Sequence, residues 1–251
     1  MSYPTDPPEI AERHPLKMKS KLRPGFGPPP RFAEMFLAMA LAAAISLDSA
    51  AAELAPLPLK LPLPTLKGTP DDLPKGSNVE PIPEKPRPAF MAPKGARNLA
   101  LNKKIIASDK SPFWGELSQI TNGNKEAFDD QVVEMRKGVQ WVQIDLGEVC
   151  EIYAVVVWHD HRLLQVFRSV IVQAADDPDF VGNVTTLFNN DTENAAGLGI
   201  GTDRQYFETN QGKLIVANGV KARYLRFYTN GSNLTAVNRY QEIEVYGQPA
   251  P

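Results

Sequence analysis

The sequence predicts an all-β protein: an antiparallel β-sandwich preceded by a disordered N-terminal region. Three observations predict it. Short stretches that alternate apolar and polar residues recur from Asn98 onward. Clusters of Asn, Asp, Gly and Pro punctuate them, and no long helical period competes. Most of the 23 prolines lie before residue 100, so a part unable to build a core is joined to a part able to build one.

Composition sets the outer limits. Hydrophobic residues make up 43% and charged residues 22%, as in an ordinary soluble domain. The formal net charge of −2 gives no global attraction to nucleic acid, so no nucleic-acid partner is expected. The single cysteine, Cys150, excludes an intramolecular disulfide and a Cys-based zinc cluster. Its setting, Val149-Cys150-Glu151-Ile152, points to a small buried hydrophobe rather than a reactive thiol.

In chain order, residues 1–52 read as a secretory signal with a long basic n-region. Lys17, Lys19, Lys21, Arg23 and Arg31 precede the uncharged run Met35 to Leu47, and Ser49-Ala50-Ala51-Ala52 offers a cleavage site. That run is short for a bilayer, which needs about 20 residues, so no membrane-spanning segment is expected in the mature form. Start at Met18 and retention as an anchor are the alternatives. With no cysteine just after the cut, a lipid-anchored lipoprotein is not expected. The expected location is secreted, periplasmic or cell-envelope.

Residues 53–93 hold eleven prolines. Proline fixes φ and removes a donor, so this stretch reads as an extended spacer. Residues 94–251 form the folded domain. Trp141 to Gly147 alternates and stops at glycine, and Ile152 to Trp158 is a β-branched run suited to a strand buried on both faces. Val166 to Ala174, Tyr224 to Tyr228 and Glu242 to Tyr246 alternate. Gly147, Asp176 to Asp179, Asn189 to Asp191, Asn218-Gly219 and Asn230 to Ser232 mark turns.

Four segments in order carry a resemblance. Asn98-Leu99-Ala100-Leu101-Asn102-Lys103 with Ala107-Ser108, then Trp141-Val142-Gln143-Ile144-Asp145-Leu146-Gly147, then Ala222-Arg223-Tyr224-Leu225-Arg226-Phe227-Tyr228, and finally Glu242-Ile243-Glu244-Val245-Tyr246-Gly247 resemble discoidin, or factor 5/8 type C, domains. The resemblance implies a galactose-binding-like jelly roll, nearest to the bacterial sugar-binding branch, because the disulfide usual in the animal lipid binders is missing. The N-terminal hundred residues are not covered by it.

The same resemblance implies a structural Ca²⁺ loop at Gln119 to Phe128. Its matched positions are Asn122 and Asn124, backbone oxygens of Gln119 and Ala127, and the distal carboxylate Glu242. Ca²⁺ takes six to eight oxygens. Asn122 stands where the pattern has Asp, and Ala127 lacks a hydroxyl, so a weak site is expected. An Asn-Gly turn closed without metal is the alternative.

For ligand binding, the related modules use loops at one end that supply His, Arg, Asn and an aromatic. The matching residues are His159, His161 and Arg162, the platform Phe113 and Trp114, and Asn233, Arg239 and Tyr240. Such residues can hydrogen-bond hydroxyls and stack on a sugar ring. His159 and His161 also form a possible zinc pair, but zinc needs three or four ligands and the remaining histidine, His14, precedes the expected cut. The Gly-rich stretch Asn189 to Gly201 follows no strand-to-helix transition and reads as a loop flanking the ligand end.

No catalytic motif is present, so the chain is expected to be a non-enzymatic binding module for a carbohydrate or glycoconjugate. The alternatives are an adhesion module that meets envelope proteins and a metal-dependent hydrolase built on the two histidines.

Overall fold

The computed structural model describes residues 53–66, 73–74, 76 and 78–251. The leader, its basic cluster and His14 lie outside them. Among the described residues there are ten strands and two short 3-10 turns. No described helix is long and apolar enough to cross a membrane.

The strands are β1 (Leu54–Pro56), β2 (Met91–Pro93), β3 (Arg97–Asn98), β4 (Ile105–Ala107), β5 (Val133–Lys137), β6 (Gln140–His159), β7 (Ile171–Ala175), β8 (Thr185–Asn189), β9 (Lys213–Thr229) and β10 (Val237–Pro249). β1 pairs with β2, and the others follow the order β3-β10-β6-β9-β7-β8, with β4 on β6 and β5 on β10, all antiparallel. The 3-10 turns are Leu117–Thr121 and Asp129–Gln131.

Two long strands make the sandwich. The runs 141–147 and 152–158, which read as separate strands, are one strand, β6, bent where its register against β9 breaks between Asp145 and Cys150. Gly147 sits in that bend at φ 92°, a conformation that glycine adopts without steric cost. Before the bend β6 pairs with β4 and the end of β9; after it, with β10 and the start of β9. Two smaller differences follow the same logic. Asn218-Gly219, a turn signal, is an irregularity inside β9 with both residues at positive φ. The strand expected from Val166 begins only at Ile171, because Val166 makes a single bridge to Phe207 instead.

Alternation places the core. Val142, Ile144 and Leu146 face the interior with Leu225, Phe227, Ile243 and Val245. A second register shift between Ile152 and Ala154 flips the parity, so Val155 and Val157 continue the inner face. Cys150 is buried among these residues, as its apolar neighbours imply. Ala154, Val156, Trp158 and Tyr246 point to the opposite face, where they would meet water if nothing covered them.

The Pro-rich stretch covers them. Its described residues are extended, as its prolines require, but they are not a free spacer. Leu57, Leu59 and Phe90 pack on Trp158, Val156 and Tyr246. Full burial of a large apolar side chain contributes about 1.5–3 kcal/mol, and each of these half-buried ones contributes a part of that. Hydrogen bonds fix the strap: Leu57 N donates to Phe90 O at 2.9 Å, and the Asn210 side-chain Nδ2 donates to Pro62 O at 2.9 Å. Arg87 donates to the carbonyls of Gln211 and Gly212 at 3.0 Å each, and Lys213 pairs with Glu80 at 2.7 Å. Gly212 lies flat against the Trp158 indole, where a Cβ would come within 2.7 Å of the ring.

Candidate functional site

The ends of β6, β10 and β5 meet the loop 109–116 and the segment 122–131. Phe113 N donates to Glu134 O at 3.1 Å, and Glu134 N donates to Trp114 O at 2.9 Å, which folds the first loop against β5. Gly115 permits that approach, since a Cβ there would lie 2.7 Å from Val132 O. The loop then turns Trp114 outward, leaving it 55% exposed, with its indole N–H donating to Asp129 O at 3.0 Å. The ring is open to solvent and its orientation is fixed.

Charged side chains close a circuit behind it. Arg162 grips Asp160 with two bonds of 2.8 Å and reaches Asp129. Arg239 bonds Asp160 at 3.0 Å and Glu134 at 2.8 Å. Glu134 returns to Trp114 through the backbone. Asp160 is fully buried at the centre. Burial alone would raise its pKa, but the two guanidiniums outweigh that and hold it below the usual carboxylate value. Arg162 is correspondingly pushed up, first by its bond to Asp160. Bidentate, charge-assisted pairs of this kind fix geometry as well as charge. Phe113, Phe128 and Leu163 stand exposed beside Trp114, Asp129 and Arg162 in the chain.

The expected loops therefore converge, through a different set of residues. Trp114, Arg162 and Arg239 are brought together there, with Phe113 next to Trp114 in the chain. His159 is not among them: it is fully buried, stacked on Phe167 with centroids 4.4 Å apart, and its Nδ1 bonds Glu208 at 2.7 Å. His161 is buried too, with Nε2 bonded to Lys125 O at 2.9 Å. Tyr240 is a core residue whose hydroxyl donates to Phe227 O. Asn233 uses its Oδ1 to accept from Val166 N at 2.7 Å, which ties two loops together. Asp129, Glu134, Asp160 and Phe128 were not expected. The one available signal was the Asp160-His161-Arg162 spacing, which lets a carboxylate and a guanidinium of one loop meet.

The chain is similar in fold to bacterial carbohydrate-binding modules. One is a chitosan-binding module from the chitosanase/glucanase of Paenibacillus sp. IK-5, at 22% identity and a TM-score of 0.41, covering 60% of this chain and 99% of that one. Another is a CBM32 module of Clostridium perfringens solved with GlcNAc-α-1,4-galactose, at 17% identity and 0.45, covering 62% and 96%. A third is a fucose-binding module of Streptococcus pneumoniae, at 18% and 0.41, covering 59% and 96%. No family profile and no curated protein matches the chain.

The histidine pair makes no zinc site. Their ring bonds go to Glu208 and to a backbone carbonyl, and among the described residues no three His, Cys, Asp or Glu side chains are grouped to hold a metal.

The turn expected to hold Ca²⁺ forms as an Asn-Gly turn, with Gly123 at φ 84°. Asn122 Oδ1 accepts from Asn124 N at 2.7 Å, and Asn124 Oδ1 accepts from Glu126 N at 3.2 Å. Gln119 closes its own 3-10 turn by accepting from Glu116 N, and its amide donates to Asp130 O. Ala127 offers a backbone oxygen alone. Both Glu242 oxygens lie 3.1 Å from Gly123 N, and burial, then the nearby Glu244, pushes this carboxyl up to about 9. The side-chain oxygens are engaged in closing the turn, and a buried lysine ammonium stands beside the acids. The donor set does not fit a hard dication well.

Proposed function

We propose that the protein is a non-catalytic binding module that takes a carbohydrate on the Trp114 platform. The circuit Trp114–Asp129–Arg162–Asp160–Arg239–Glu134 supports this reading above all. It joins the loops into one rigid surface with an open aromatic face. Sugar rings present an apolar C–H face and a rim of hydroxyls that both donate and accept. Trp114 suits the first. The Asp129 carboxylate, 88% exposed, and the outward edge of Arg162 suit the second. Because the groups are held by one another, little side-chain entropy is lost when a ligand arrives. Export, as the leader implies, would give such a module glycans outside the cytoplasm.

A protein-binding adhesion role would fit an apolar patch without polar groups. Here the polar groups converge under the aromatic, which favours the sugar. The test is a glycan array followed by calorimetry on the full chain and on Trp114→Ala. Binding of at least one glycan class, weakened about tenfold or more in the variant, is expected. No retained glycan, or equal binding by the variant, overturns the reading.

A further inference from the structure

The Asn-Gly turn is fastened to β10 at three points. Glu242 meets Gly123 N, Gln241 Nε2 donates to Glu126 O at 2.9 Å, and Glu244 pairs with the Lys125 ammonium. Lys125 is the unusual member. Lysine is almost never fully buried unless paired, yet Lys125 is 7% exposed. Its ammonium contacts Glu244 and lies 4.8 Å from the centre of the Trp158 ring. Tyr246 Oη donates to the second Glu244 oxygen at 2.8 Å, so that carboxylate is fully partnered. The Lys125 carbonyl in turn receives the His161 ring, which orders the loop carrying Arg162.

We propose that the Lys125 ammonium supplies the positive charge that a Ca²⁺ ion supplies in the pattern this turn resembles, so that the turn and the site beside it are independent of metal. A tethered monocation held by the Glu244 carboxylate and an aromatic face replaces a dication that would need several more oxygens. The turn leads directly into Phe128 and Asp129, so Lys125 acts as a positioning residue for the platform.

The test measures the Tm of the full chain in EDTA and in millimolar CaCl2, with metal analysis of the purified protein. The wild-type Tm should agree within about 1 °C in both, with no stoichiometric calcium. Lys125→Met keeps the apolar stem and should lower Tm by roughly 10 °C, because it strands a buried carboxylate. Lys125→Met with Glu244→Gln should recover part of that loss. Bound stoichiometric calcium, a Tm that falls in EDTA, or an unchanged Tm for Lys125→Met overturns the proposal. If Lys125→Met does not fold, the wild-type comparison in EDTA and calcium still decides.

Discussion

The two faces of β6 beyond its bend are equally buried, but by different means. Val155 and Val157 meet other strands of the sandwich, which share their alternation. Val156 and Trp158 meet Leu57, Leu59 and Phe90, and Leu57 and Leu59 come from a run in which leucine alternates with proline or lysine. Alternation announces a core when the residues between can pair in a sheet, and proline in those places disguises it. A proline-rich strap can cover an apolar face although its prolines argue against a strand.

Three measurements bear on this comparison. The largest effect is expected at the shared boundary. Trp158→Ala should destabilise by about 3–5 kcal/mol in urea, because a fully buried indole leaves a cavity between sheet and strap. Ile243→Ala, on the inner face, should cost about 2–5 kcal/mol, so the two faces should prove similar. An outer-face loss under 1 kcal/mol would show that the strap contributes little.

Gly212→Ala comes next. Its φ of +60° disfavours a side chain, and its Cβ would press on the Trp158 ring. A loss of about 1–3 kcal/mol is expected, while Gly76→Ala, in open space, should change stability by less than about 0.5 kcal/mol.

The smallest effect is the acid response of the site. The folded-state pKa of Asp160 lies below its unfolded value, so its contribution is complete above about pH 4. It declines as pH falls through the folded value. Asp160→Asn should remove this part of the acid loss, seen as a flatter stability profile below pH 4; an unchanged profile would place the acid loss elsewhere.

Much of the fold was legible. Trp141 to Leu146, Ile152 to Trp158, Tyr224 to Tyr228 and Glu242 to Tyr246 all lie in strands, because alternation against one core is a local property. Less of the site was legible, for a specific reason. Turn residues do not say where pairing stops. β6 goes on pairing to His159, opposite Tyr240 across a register shift, so both side chains join the interior instead of a loop surface. Trp114 and Arg162 could be read because a large aromatic near Pro112-Gly115 and a charged residue past a strand end have few buried alternatives. Asp160 was legible only through its spacing to Arg162, because the second guanidinium that holds it, Arg239, arrives from β10.

The strap also constrains the order of assembly. Asn210 and Pro62 are 148 positions apart, and the Glu242 contact to Gly123 spans 119. Contacts this distant form late, because loop closure must precede any gain from them. The face that receives Leu57 and Leu59 includes Tyr246, near the end of the chain. A chain made from its N-terminus therefore carries the strap undocked until its last strand is in place, and docking then closes the structure.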